Sequence, residues 1–156
     1  MKMDRERLEL AAIACRRGLM GLSGDEGSVF HGFPRAACGP ASEILGRLLQ
    51  EELGYDGVYV CGEDHPHLGQ EQSHAWFEVG QFLVDITHDQ FEGSGLCGWV
   101  FELGNEWHAL FNERGPSPGF CMPSNWPCYP RDGYQAALAE FKKALSKESG
   151  EARWPR

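Results

Sequence analysis

Ser73-His74-Ala75-Trp76-Phe77-Glu78-Val79-Gly80-Gln81-Phe82-Leu83-Val84-Asp85-Ile86-Thr87 decides the fold. Two apolar-rich runs flank a Gly-Gln pair, and glycine at the first central position suits a type II′ hairpin turn. That turn pairs Val79 with Phe82, Phe77 with Val84 and Ala75 with Ile86. All six are apolar and share one face. His74, Trp76, Glu78, Leu83, Asp85 and Thr87 share the other. A slip of one residue would turn the apolar set into water, so the register is well determined. It makes Asp85 the diagonal neighbour of His74, close enough for a side-chain hydrogen bond.

Upstream of the hairpin, Ala37-Cys38-Gly39-Pro40-Ala41-Ser42-Glu43 opens a helix. Pro40 fits a first helical turn, where its missing N–H costs nothing. Ile44, Leu45, Leu48, Leu49 and Leu53 follow at helical spacing, and Gly54 stops the helix. Cys38 therefore stands at a helix N-terminus. A second helix is expected over residues 4–20, and a glycine-rich loop over about 21–36. Val58-Tyr59-Val60-Cys61 reads as a short strand and Gly98 to Leu103 as another. Trp107 to Phe111 fits strand or helix. Residues 112–131 read as a proline-rich loop, and the last ten residues as frayed. A C-terminal helix is expected over about 132–146. The fold class is α+β, with N-terminal helices packed on a small antiparallel sheet, in a single domain over 1–156.

Composition narrows the function. The chain has 156 residues, 42% of them hydrophobic, with five Trp and nine Phe, which is ample core material for one domain. Its net charge of -9 argues against nucleic acid as a partner, since phosphate contacts need clustered Lys and Arg. The basic pairs Arg16-Arg17 and Lys142-Lys143 read as solvated helix faces. No secretory signal and no membrane-length apolar run is present, so the expected compartment is the cytoplasm, or export without an N-terminal signal. The oligomeric state stays open. Six cysteines form no zinc-type C-x-x-C pair. A disulfide between Cys121 and Cys128 is conceivable.

A thiol at a helix start, a base on a strand and a carboxylate on the next strand are the parts of a cysteine-nucleophile triad. Cys38 is the expected nucleophile, His74 the general base and then acid, and Asp85 the group that orients His74. The positive end of the helix and an imidazolium beside it would both favour the thiolate.

The words Cys38-Gly39-Pro40-Ala41-Ser42, His74-Ala75-Trp76-Phe77-Glu78-Val79 and Val84-Asp85-Ile86-Thr87 resemble the transglutaminase-like branch of the papain-like cysteine fold. The resemblance covers about residues 36–91, and the core it implies spans about 36–111. It implies acyl transfer at an amide bond of a protein or peptide substrate, by a deamidase, peptidase or transglutaminase-type reaction. No cofactor is expected, and no Asp-rich loop motif points to a calcium site. Substrate and choice between hydrolysis and transfer stay open. Relatives of this kind place a Gln, Asn or Trp upstream of the cysteine as second oxyanion donor, and residues 18–37 contain none. His31, Gln90 or a backbone amide are the candidates, although Gln90 also suits a buttress for the strand end. Trp76 fits a substrate groove or core packing.

Three alternatives remain. A non-catalytic binding or immunity-type module would suit the acidic surface and the missing donor. His88 could replace His74 as base. Cys61, Asp64, His65 and His67 could hold zinc, or lie on a mobile loop over the cleft. Residues 62–73 and 112–130 are the expected groove walls.

Overall fold

The computed structural model describes residues 3–117 and 130–152. Within them the architecture is α+β. Helices α1 (Arg5–Met20) and α2 (Cys38–Leu53) come first, followed by strands β1 (Val58–Glu63), β2 (Ser73–Val79) and β3 (Phe82–Val84). A 3-10 turn over His88–Gln90 leads to β4 (Val100–Glu102), one-turn α3 (Glu106–Ala109), β5 (Glu113–Pro116) and α4 (Arg131–Ala152). The sheet has the order β4-β3-β2-β1-β5, and every pairing is antiparallel. Among the described residues no helix is long and apolar enough to cross a membrane.

The hairpin pairs Val79 with Phe82 and Phe77 with Val84, as its pattern requires. Gly80 has φ +61 and Gln81 does not have a positive φ, the combination of a type II′ turn. The ladder stops earlier than the alternation suggests. Asp85 leaves it and donates its N–H to Trp99 O at 2.9 Å.

Both faces of the sheet are covered. On one, Phe77, Val79, Phe82, Val84 and Ile86 join a core with Leu8 and Leu19 of α1, Ile44 to Leu49 of α2, and Phe141 of α4. Helix α2 lies close to β2 because position 46 is glycine: a Cβ there would fall 2.5 Å from the Phe77 ring. On the opposite face Val60, Trp76, Leu83, Trp107 and Phe111 form a second, smaller core. The pattern does not announce this core, since alternation usually means one wet face.

Three segments depart from expectation. Glu113–Pro116, read as loop, is an edge strand on β1. The segment 107–111 begins within α3, where the Asn105 side chain caps Trp107 and His108 N–H groups. The C-terminal helix runs well past residue 146. Arg16 also corrects its reading as a solvated charge. It is only 15% exposed, bonds Ile86 O at 2.7 Å, holds Asp89 through both guanidinium nitrogens, and lies 4.3 Å over the Trp99 ring. The Cys121–Cys128 pairing and most of the 112–130 wall lie outside the described residues.

Candidate active site

Cys38 is the first residue of α2. Its predecessor Ala37 offers no capping side chain, so the first N–H groups of the helix are not met by a side chain. Ala36, one residue earlier, has φ +56, a left-handed conformation that costs a non-glycine residue energy and turns the chain sharply into the helix. Cys38 is half-buried and thus reachable from solvent.

His74 and Asp85 are 0% and 1% exposed. His74 Nε2 donates to Asp85 Oδ2 at 2.7 Å. This leaves Nδ1, which is buried without a hydrogen-bond partner, while the nearby Cys38 thiol acts on the ring electrostatically. The three predicted residues are thus brought together, in the order thiol, imidazole, carboxylate.

The electrostatics follow from the contacts. Burial by itself would raise the Cys38 pKa, but the hydrogen bond and charge of His74, helped by the Ala75 N–H, bring it below its ordinary value. Burial would lower His74, but the Asp85 charge and hydrogen bond, with Cys38, raise it to about 9. Burial would raise Asp85, and the charge of His74 with the hydrogen bonds of His108 and His74 hold it far below the usual carboxylate range. Cys61 makes a useful contrast. It lies across the ladder from Ala75, and burial, together with the nearby Cys38 and Glu63, pushes its thiol up. The two thiols at this end of the sheet are thus shifted in opposite directions.

His108 was not singled out by the sequence. Its Nε2 lies 2.8 Å from the same oxygen, Asp85 Oδ2, and its ring is 2% exposed. A signal was present: Asn105 is a good N-cap, and Trp107 and Phe111 are spaced for one helical face. A helix there would have pointed to the same region as the second core.

The oxyanion candidates separate. Gln90 Oε1 accepts the Ala36 N–H at 3.3 Å, tying this side chain to the approach to Cys38, and its Nε2 is buried without a partner. Trp76 is 0% exposed in the second core and donates to Glu78 at 2.9 Å, so it packs rather than lines a groove. His31 is exposed, and no described contact joins it to Cys38 or His74. His88 is not placed as a base: it is buried, donates to Gly98 O at 2.7 Å and lies against Trp99.

His65 is not a loop ligand either. It is 2% exposed against Trp107 and Phe111, donates from Nε2 to Trp107 O at 2.9 Å and accepts the His67 N–H at Nδ1. Neither nitrogen has a lone pair left for zinc. Among the described residues, the metal-ligand types that crowd together are His74, Asp85 and His108. Their N–O separations of 2.7 and 2.8 Å are hydrogen-bond distances. Two ligands on one tetrahedral zinc would stand roughly 3.3 Å apart, given metal–ligand bonds of about 2.0–2.1 Å. A cavity of about 450 Å³ opens beside α3, lined by His67, Leu96, Asn105 and Trp107 among others, but by no member of the triad.

No protein-family model, curated protein or solved structure matches this chain.

Proposed function

We propose that this protein is a cysteine-dependent acyl-transfer enzyme that acts on an amide bond of a protein or peptide. The observation that carries the reading is the buried His74–Asp85 pair, which keeps one ring nitrogen free and lies within interaction range of a thiol at the start of a helix. A structural histidine does not require a carboxylate on one nitrogen and an activated thiol on the other. The helix-borne cysteine on an antiparallel sheet also supports the likeness to the transglutaminase-like, papain-like fold.

The chemistry follows from these atoms. The Cys38 thiolate adds to the amide carbon, and the carbonyl electrons move onto oxygen. The Cys38 N–H supplies one donor to that oxyanion, and Gln90 is the best-placed candidate for the other. The intermediate collapses as the C–N bond breaks, and the leaving nitrogen takes the proton from His74 Nδ1. A thioester on Cys38 remains. Water or an amine gives His74 a proton, attacks the thioester and releases the thiolate. Asp85 keeps His74 Nε2 protonated throughout, so that Nδ1 always faces the reaction.

The first test is alkylation. Cys38 should react with iodoacetamide at pH 6 faster than a free thiol, and Cys38→Ala should remove that reaction. A rate no higher than that of a free thiol would defeat the enzyme reading and favour a binding module. Incubation with candidate proteins, followed by mass spectrometry for deamidation, crosslinks or cuts, would then name the reaction.

A further inference from the structure

Asp85 carries more than a triad requires. Its Oδ2 accepts from His74 at 2.7 Å and from His108 at 2.8 Å, while Oδ1 accepts the Thr87 N–H at 3.1 Å. His108 arrives from a different element, α3, and has no part in a three-residue relay.

The far side of the His108 ring decides its state. Nδ1 lies 2.8 Å from Asn105 Oδ1. That atom must be the amide oxygen, because it also accepts the backbone N–H groups of Trp107 at 3.1 Å and His108 at 3.3 Å. Both ring nitrogens therefore face atoms that only accept. A neutral imidazole has one N–H and would set a lone pair against an oxygen on one side. Only a doubly protonated ring satisfies both contacts.

Aromatic rings enclose His108, so its charge must be met by the acceptors at its two nitrogens rather than by water. The rings of Trp76, Trp107 and Phe101 lie 4.9, 5.0 and 5.8 Å from the His108 ring, centroid to centroid. Among the described residues, few titratable groups face it. Asp85 comes from the chain after β3, His74 from β2, and His65 from the segment between β1 and β2. His65 accepts at Nδ1 and so brings one proton and no charge.

We propose that His108 is a buried imidazolium that completes an alternating row: Cys38 negative, His74 positive, Asp85 negative, His108 positive. Without it the row would bury a net negative charge, which is costly. With it the row is neutral, and the thiolate keeps a second positive charge in reach. His108 is thus a positioning residue that acts on the nucleophile through Asp85 and His74. Its effect on Cys38 rests on the nucleophile role proposed above; its own charge does not.

Two measurements test this separately from activity. In the wild-type protein labelled with ¹⁵N-histidine, both His108 ring nitrogens should be protonated at pH 7.5. One bare nitrogen at that pH would overturn the assignment, and this holds even if every variant fails to fold. In His108→Gln, which keeps a donor for Asp85 but no charge, the alkylation midpoint of Cys38 should move up by about one pH unit. Alkylation that slows equally at all pH values, with no shift of midpoint, would reduce His108 to a filler and overturn the electrostatic role. A cationic His108 beside a Cys38 no more reactive than a free thiol would instead defeat the enzyme reading alone.

Discussion

At the scale of single residues, the opposed shifts of Cys38 and His74 set a pH window. The thiolate–imidazolium pair forms above the lowered pKa of Cys38 and is lost as His74 gives up its proton at about 9. Turnover should therefore rise at acid pH, level off, and decline through about pH 9. Folding stability carries the same signs. His74 is raised, so its contribution is complete below its ordinary value of 6.5 and is lost as pH climbs toward about 9. Asp85 is depressed, so its contribution is complete above the ordinary carboxylate range and is lost as pH falls below it. Cys38 is lowered, so its contribution grows as pH rises toward its ordinary value and offsets the loss from His74 over that interval. Urea midpoints should therefore be clearly higher at pH 6 than at pH 3; equal midpoints would contradict the Asp85 shift. Asp85→Asn should lower kcat by roughly 10⁴, because the amide no longer fixes which His74 nitrogen carries the proton.

At the scale of elements, close approaches matter more than propensity. Gly18 is where α1 meets α4: a Cβ there would lie 2.6 Å from the Ala136 and Ala137 backbone. Gly18→Ala should cost about 1–3 kcal/mol, read as a lower urea midpoint, because backbone cannot step aside as a side chain can. Arg16 ties α1 to the turn that follows Asp85, through Ile86 O and Asp89. In Arg16→Ala the amides of residues 86–90 should exchange with deuterium faster, while those of β1 stay protected. Equal exchange in both proteins would mean that the turn holds itself.

The hairpin was legible at this scale, because a period of two and a Gly at the turn are local properties. So was the start of α2, from Pro40 and Gly54, whose φ of +70 fits a left-handed cap. β5 was not. Glu113-Arg114-Gly115-Pro116 has no alternation and no β-branched residue, and it is a strand only because β1 offers it an open edge.

At the scale of the whole molecule, the segment that holds Cys38, His74 and Asp85 shares its core with helices before and after it. The words that resemble a known fold end near residue 91, yet the larger core takes Leu8 and Leu19 from α1 and Phe141 from α4, all 0% exposed. A fragment of residues 36–111 lacks all three and leaves the part of the core that α1 and α4 cover open to water. It should show no cooperative thermal transition by circular dichroism. A sharp transition would mean that the flanking helices are additions rather than parts of the core.

What the sequence determined by itself was short in range: the hairpin register, the helix that begins at Cys38, and through them the meeting of His74 with Asp85. Each follows from spacing along a few residues, since backbone geometry repeats on that length. Tertiary structure alone decided that the hairpin's second face is dry, that Arg16 is a clamp, and that His108 comes from α3 to the oxygen already held by His74. Those contacts join residues 23 and 70 positions apart. No local periodicity encodes such distances. They are settled when buried polar groups must find partners in a packed interior.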